Sequence, residues 1–141
     1  MYLIDTNVIS EARKGAAANA GVVGFFAQCA IQGQPVFLSA ITIGELRRGV
    51  DLIRHRGDLP QAQRLEAWLR LVIEEYRDFI LPFDLDTAQV WGRLRVPHPE
   101  HALDKQIAAT ALMYDLTLVT RNTADFACTS VRLLDPFTAN R

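Results

Sequence analysis

Lysine is almost missing from this chain: of 15 basic residues, thirteen are arginine and two are lysine. Arginine forks grip phosphate or carboxylate through two parallel hydrogen bonds, which lysine cannot do. The two cysteines, Cys29 and Cys128, stand alone without metal-type spacing, so disulfide scaffolds and zinc knuckles are excluded and a reduced cytoplasm is expected. No apolar run is long enough to span a bilayer, and Met1 leads straight into an apolar segment, so neither a membrane span nor a signal peptide is expected. Net charge is −1, which argues against a broad electrostatic grip on nucleic acid while leaving room for a local one. No G-x-S-x-G occurs and the cysteines have no recognisable base partner, so serine and cysteine hydrolases find no support. Repeats and low-complexity linkers are absent too.

What is present fits one globular domain over residues 1–141, half of it hydrophobic. Tyr2, Leu3 and Ile4 read as a short buried strand that Asp5 ends with a charge, and a helix follows through Lys14. Asn19 caps a second helix closed by Gly33 and Pro35, and Val36, Phe37 and Leu38 form the next strand. Hydroxyls at 39–42 precede a helix over 41–55 with Ile43, Leu46, Val50 and Ile53 on one stripe. Gly57 stops it, and Asp58 with Pro60 starts a helix to Asp78, which predicts an antiparallel hairpin. A strand over 79–83, a helix from Asp84 or Asp86 to Arg95, a proline-broken loop holding His98 and His101, and a helix over 102–114 come next. Strands over 116–120 and 131–134 complete the reading, with an Arg121-Asn122-Thr123 turn between them. Strands alternating with helices predict an α/β fold with a central parallel sheet and helices on both faces.

Four acids draw attention. Asp5 ends a strand at the edge where open α/β sheets bind ligands, although Asp5 or Thr6 as a plain helix cap is the simpler alternative. Asp104 heads a stripe of Ile107, Ala108 and Ala111, whose small side chains allow close approach to the sheet; a first-turn acid complementing the helix dipole is its alternative. Asp125 follows the 116–120 strand and its turn, and Glu45 lies at the margin of an apolar stripe. Three placements converge on one sheet edge, with Glu45 as a fourth. Two like charges ~5 Å apart repel by roughly 3 kcal/mol at an effective dielectric of 20, so such a cluster calls for a cation. Hard oxygen ligands select Mg²⁺ or Mn²⁺, whose activated water can attack a phosphodiester.

The segments LIDTNVIS, SAITIGELRRGV, HALDKQIAATAL and LVTRNTADF resemble, in order and spacing, the four signature blocks of PIN-domain ribonucleases. The VapC/FitB branch, toxins of type II toxin–antitoxin pairs, is the most similar. The resemblance covers nearly the whole chain. It implies a PIN-like three-layer α/β/α sandwich, metal-dependent RNA cleavage, transfer or ribosomal RNA as substrate, and inhibition by a small cognate antitoxin; a homodimer is expected. By block, Asp5, Glu45 and Asp104 take the metal-binding positions, and Thr6 and Asn7 match the polar residues that support them. Asn122 stands where some relatives have an aspartate. Either Asp125 supplies the fourth carboxylate or the second metal site is weak.

Two further expectations concern partners. Arg47 and Arg48 follow Glu45 closely and are candidates to hold phosphate, against the alternative of a solvated face. The 60–78 helix carries Trp68 and excess apolar surface, so by resemblance an antitoxin segment would lie between the hairpin and the body. An aspartyl-nucleophile phosphotransferase is disfavoured, because position 7 is Asn where that chemistry usually needs Asp. A PIN-like RNA-binding or regulatory module that has lost catalysis is the remaining alternative, and metal-dependent RNA cleavage separates it from a nuclease.

Overall fold

The strand at the start of the chain occupies the centre of the sheet. In the computed structural model, which describes residues 1–138, five parallel strands run in the order β3-β2-β1-β4-β5. They are β1 (Tyr2–Ile4), β2 (Val36–Ser39), β3 (Ile80–Leu81), β4 (Thr117–Val119) and β5 (Leu133–Leu134). Six helices connect and flank them: α1 (Thr6–Ala12), α2 (Ala20–Gln32), α3 (Ala40–His55), α4 (Leu59–Glu75), α5 (Leu85–Leu94) and α6 (Ala102–Met113).

Strand periodicity divides the core into two. Leu3, Phe37 and Leu118 face one side and pack with Ile107, Ala108 and Ala111 of α6. Ile4, Leu38 and Val119 face the other side, against Val8 of α1, Val22 of α2, Leu46 of α3 and Leu69 of α4. Both faces being covered explains why these strands are apolar throughout rather than alternating. The result is the expected three-layer α/β/α sandwich. The chain first builds outward from β1 through β2 to β3, then crosses back to β4 on the opposite side of β1. The order therefore reverses at β1, and the crevice beyond the carboxyl ends of β1 and β4 is where such sheets leave room for a ligand.

Local signals hold at the helix starts. Asn19, Ser39, Asp58 and Asp84 each accept a backbone N–H at the head of their helices, so Asp84 rather than Asp86 caps α5. Gly57, at φ +92°, makes the turn between α3 and α4 that a side chain would resist. Element ends depart more from expectation. Helix α1 stops at Ala12, before a 3₁₀ turn at Gly15–Ala17, and α4 stops at Glu75, where Arg77–Phe79 forms another such turn. Strands β3 and β5 have only two residues each, because they lie at the sheet edges with one neighbour apiece.

The carboxyl-terminal segment crosses the start of α2. Asn19 accepts from the Thr138 backbone N–H at 3.0 Å and donates to its carbonyl at 2.9 Å. A Cβ on Gly21 would lie 2.1 Å from the Pro136 carbonyl oxygen, so only glycine fits beneath this crossing.

Candidate metal centre

Asp5 leaves β1 at the switch point and is 4 % exposed. Its two oxygens have different partners. Oδ1 accepts the Thr6 backbone N–H at 2.8 Å and so caps α1, while Oδ2 accepts the Thr120 hydroxyl at 2.8 Å from the end of β4. The cap and the buried acid are thus the same group. Asn7 Nδ2 lies 3.4 Å from Asp5 Oδ2 and 3.3 Å from the Thr120 oxygen, and Asn7 Oδ1 accepts the Arg121 N–H at 3.2 Å. Thr6 turns its hydroxyl to Glu45 Oε2 at 2.5 Å, tying α1 to α3, with Thr42 Oγ1 3.4 Å away.

The opposite wall is built differently. His101, in a left-handed conformation (φ 55°), stands at the cap position just before helix α6, and Asp104 sits in the helix's first turn. A 3₁₀ turn at Thr123–Phe126 follows β4 and folds Asp125 back beside Asp104. The ligand atoms of His101, Asp104 and Asp125 all lie within 4.8 Å of one another. Asn122 opens that turn, and its backbone N–H donates to Thr120 Oγ1 at 3.1 Å.

The electrostatics join the two walls. Burial pushes the Asp5 carboxyl from 3.8 up to about 6. Hydrogen bonds from Thr120 and Thr6 pull it down, and the charges of Asp104 and Glu45 push it up. Asp104 is also raised, first by burial, then by Asp125 and Glu45, with His101 offsetting part of it. Glu45 bears on both aspartates, so the four carboxylates form one field rather than two independent pairs. Carboxylates gathered against their own repulsion, with the His101 ring nitrogen beside two of them, fit a divalent cation.

The sequence matches the PIN domain over residues 2–129. The chain belongs to the PIN domain family. It is 35% identical to the toxin FitB of Neisseria gonorrhoeae, over 97% of this chain and 99% of that protein. The VapC ribonuclease Y4jK of Sinorhizobium fredii is 30% identical over 97% of this chain and 98% of its own length. Among solved structures, FitAcB from Neisseria gonorrhoeae superimposes with a TM-score of 0.82 at 34% identity, covering 96% of this chain and 98% of that one.

Within this PIN chain, hydrogen bonds join Asp5 to Thr6 and Asn7, and Thr6 to Glu45, while the ligand atoms of Asp104 and Asp125 lie together with His101. Among the described residues Asp5 and Glu45 stand outside that close group and bear on Asp104 through their charge. Arg47 is engaged elsewhere. Its guanidinium makes a two-pronged contact with Glu66 of α4 at 2.8 and 2.7 Å, with Asp51 at 3.6 Å, and thereby pins the hairpin. Arg48 is exposed and borders the same shallow depression as Glu45 and Leu103. Sequence reasoning missed Thr120 and His101. Thr120 carried a usable signal, a hydroxyl ending an apolar strand one strand away from Asp5. His101, three residues before Asp104, could have been read as its neighbour across the first helical turn.

Proposed function

We propose that this PIN chain is a metal-dependent endoribonuclease and the toxin of a toxin–antitoxin pair. The observation that supports it most is Asp5, a buried carboxylate raised to about 6 and facing Glu45 and Asp104 at the sheet's switch point. Asp5, Glu45, Asp104 and Asp125 would hold Mg²⁺ or Mn²⁺ through oxygen, with the His101 ring nitrogen beside Asp104 and Asp125. A divalent cation bound there supplies Lewis-acid charge to a phosphate oxygen and lowers the pKa of water. The chain's own residues prepare that site. Thr120 and the Thr6 N–H hold both Asp5 oxygens in fixed directions, and the Thr6 hydroxyl holds Glu45 so that one carboxylate oxygen stays free to take a proton. Asn7 steadies Thr120 and the turn at Arg121, which fixes where β4 hands over to Asp125.

The decisive experiment incubates the purified protein with a mixed RNA pool, with and without Mg²⁺, beside Asp5→Asn and Asp104→Asn. Cleavage that needs the metal and is lost in both variants is expected. Cleavage at near wild-type rate in both would refute the mechanism, and no metal-dependent cleavage by the wild type would favour a binding module. RNA-end sequencing after brief induction then identifies transfer RNA, ribosomal RNA or another target.

The partner reading rests on a second place. A groove of about 400 Å³ runs between α1, α2 and α4, lined by Ile9, Ala12, Phe26, Trp68, Val72 and Tyr76. Arg13 lies 6.0 Å over the Trp68 ring at its rim. An apolar, helical antitoxin segment with an acidic flank suits that chemistry. Co-expression with the adjacent small open reading frame is expected to relieve toxicity and yield a complex. Trp68→Ala should weaken that complex without lowering RNA cleavage.

A further inference from the structure

The two lysines of this arginine-rich chain have opposite fates. Lys14 is exposed and paired with Glu11 at 3.0 Å. Lys105, next to Asp104 in sequence, is 3 % exposed. Its ammonium donates to the His98 backbone carbonyl, and among the described residues no carboxylate pairs with it. A lysine ammonium has three N–H donors, and a buried cation with one acceptor is under-satisfied.

Lys105 lines a cavity of about 350 Å³ between the loop at His98–His101 and the turn that carries Asp125 and Cys128. His101 and Asp125 belong to this cavity and to the acidic cluster at once, so the two spaces adjoin. Glu100 and Asp125 also line this cavity as carboxylates, with His98 4.0 Å from Glu100, and Asp125 and Asp104 repel each other. Lys105 is the one lysine or arginine on this lining, and its ammonium has donors left over. A compact anion that reaches in from the acidic centre would meet those donors, with a cation at that centre offsetting Asp125. A lysine binds phosphate as a point charge, and burial makes that contact stronger than a surface arginine would.

The geometry points to a subsite beside the metal centre in which Lys105 holds the backbone phosphate next to the scissile one. This deepens the ribonuclease reading and rests on it. Lys105 is a substrate-positioning residue: it fixes the strand's register over the acids, and it takes no part in bond breaking.

The test uses a short oligoribonucleotide containing the mapped cut site and versions with one neutral methylphosphonate linkage at each position. Lys105→Met should raise KM about tenfold with little loss of kcat, and lower the salt dependence of RNA binding by about 0.7 in log–log slope, the value for one phosphate contact on a single strand. Lys105→Arg should restore most of the slope. In the wild type, one neutral linkage adjacent to the cut should raise KM similarly, and Lys105→Met should be insensitive to that linkage. Unchanged KM and slope with a lowered melting temperature would overturn the subsite and leave Lys105 as a pin for the His98 loop. If Lys105→Met does not fold, the linkage scan on the wild type decides, and insensitivity at every position flanking the cut overturns the proposal. A wild type that binds RNA without cutting it defeats the ribonuclease reading instead, and the salt slopes still decide the subsite on uncut RNA.

Discussion

The two walls of the acidic crevice are made by different means. On the β1 side, Asp5 is buried, both of its oxygens are hydrogen-bonded, and its partners come from β1, α1 and β4. On the α6 side, Asp104 and Asp125 are half-buried, stand on a first helical turn and a 3₁₀ turn, and have repulsion rather than hydrogen bonds as their main mutual interaction. One wall is fixed by the fold before any ligand arrives. The other is held by no hydrogen bond between its two acids among the described residues. A cation bound as proposed would meet the held acid in a fixed direction and relieve the repulsion within the pair.

The largest effect should come from breaking the rigid wall. Asp5→Asn keeps the shape but removes the charge shared by both walls, and a loss of cleavage on the order of 10²–10³-fold is expected. Asp104→Asn should come close to it. Asp125→Asn should cost less, about tenfold, because Asn122 already leaves that side of the site short of charge. Single-turnover rates at saturating Mg²⁺ measure all three, and an Asp125 variant as inactive as Asp5→Asn would erase the distinction between the walls.

Without metal the same Asp5→Asn change should stabilise the protein. The folded carboxyl titrates at about 6 against an ordinary 3.8, so between those pH values the folded state holds a proton that the unfolded state has released. Stability therefore falls as pH rises through this window, and the full penalty, roughly 3 kcal/mol at most, is present above it. Asparagine removes the slope and should gain about 1–2 kcal/mol at pH 7 after its weaker hydrogen bonds are counted. Thermal melts in EDTA from pH 4 to 7 show this; parallel slopes for the two proteins would contradict it.

Thr120→Val probes the rigid wall from β4. It withdraws one of the hydrogen bonds that lower the Asp5 pKa, so the acid limb of the pH–rate profile should move to higher pH. Stability should drop by about 1–2 kcal/mol, since a buried acceptor loses its donor. The smallest effect is expected away from both walls. Arg47→Ala should lower the melting temperature slightly by freeing Glu66, and leave RNA affinity alone, whereas Arg48→Ala should weaken RNA binding in a salt-dependent way. Equal RNA affinities for the two variants would remove Arg48 from the substrate face.

Legibility in the sequence follows the range of the interaction. The caps at Asn19, Ser39, Asp58 and Asp84 depend on neighbours two or three residues away: Asn19 and Asp58 could be read outright, Ser39 only within the 39–42 run, and Asp84 only beside Asp86. Asp5 could be read because a charge ending an apolar run conflicts with its surroundings. Arg47 could not, because helical phase leaves two adjacent arginines equivalent until α4 arrives with Glu66 nineteen residues on. The burial of Lys105 was hidden for a similar reason: the loop carbonyl that receives it belongs to His98, in a segment broken by Pro97 and Pro99 whose path no periodicity describes.

The central strand being made before its neighbours has a consequence in time. Asp5 leaves the ribosome well ahead of Thr120, its buried hydrogen-bond partner, which lies 115 positions later. Asp104 and Asp125 come from the same late part of the chain. Until β4 has been synthesised and inserted beside β1, Asp5 has neither its hydroxyl donor nor the opposite wall. Such long-range closure is slow compared with helix formation. A nascent chain therefore carries the first acid without its later partners while the intervening residues are made, so the acids come together only after β4 and the turn after it have emerged.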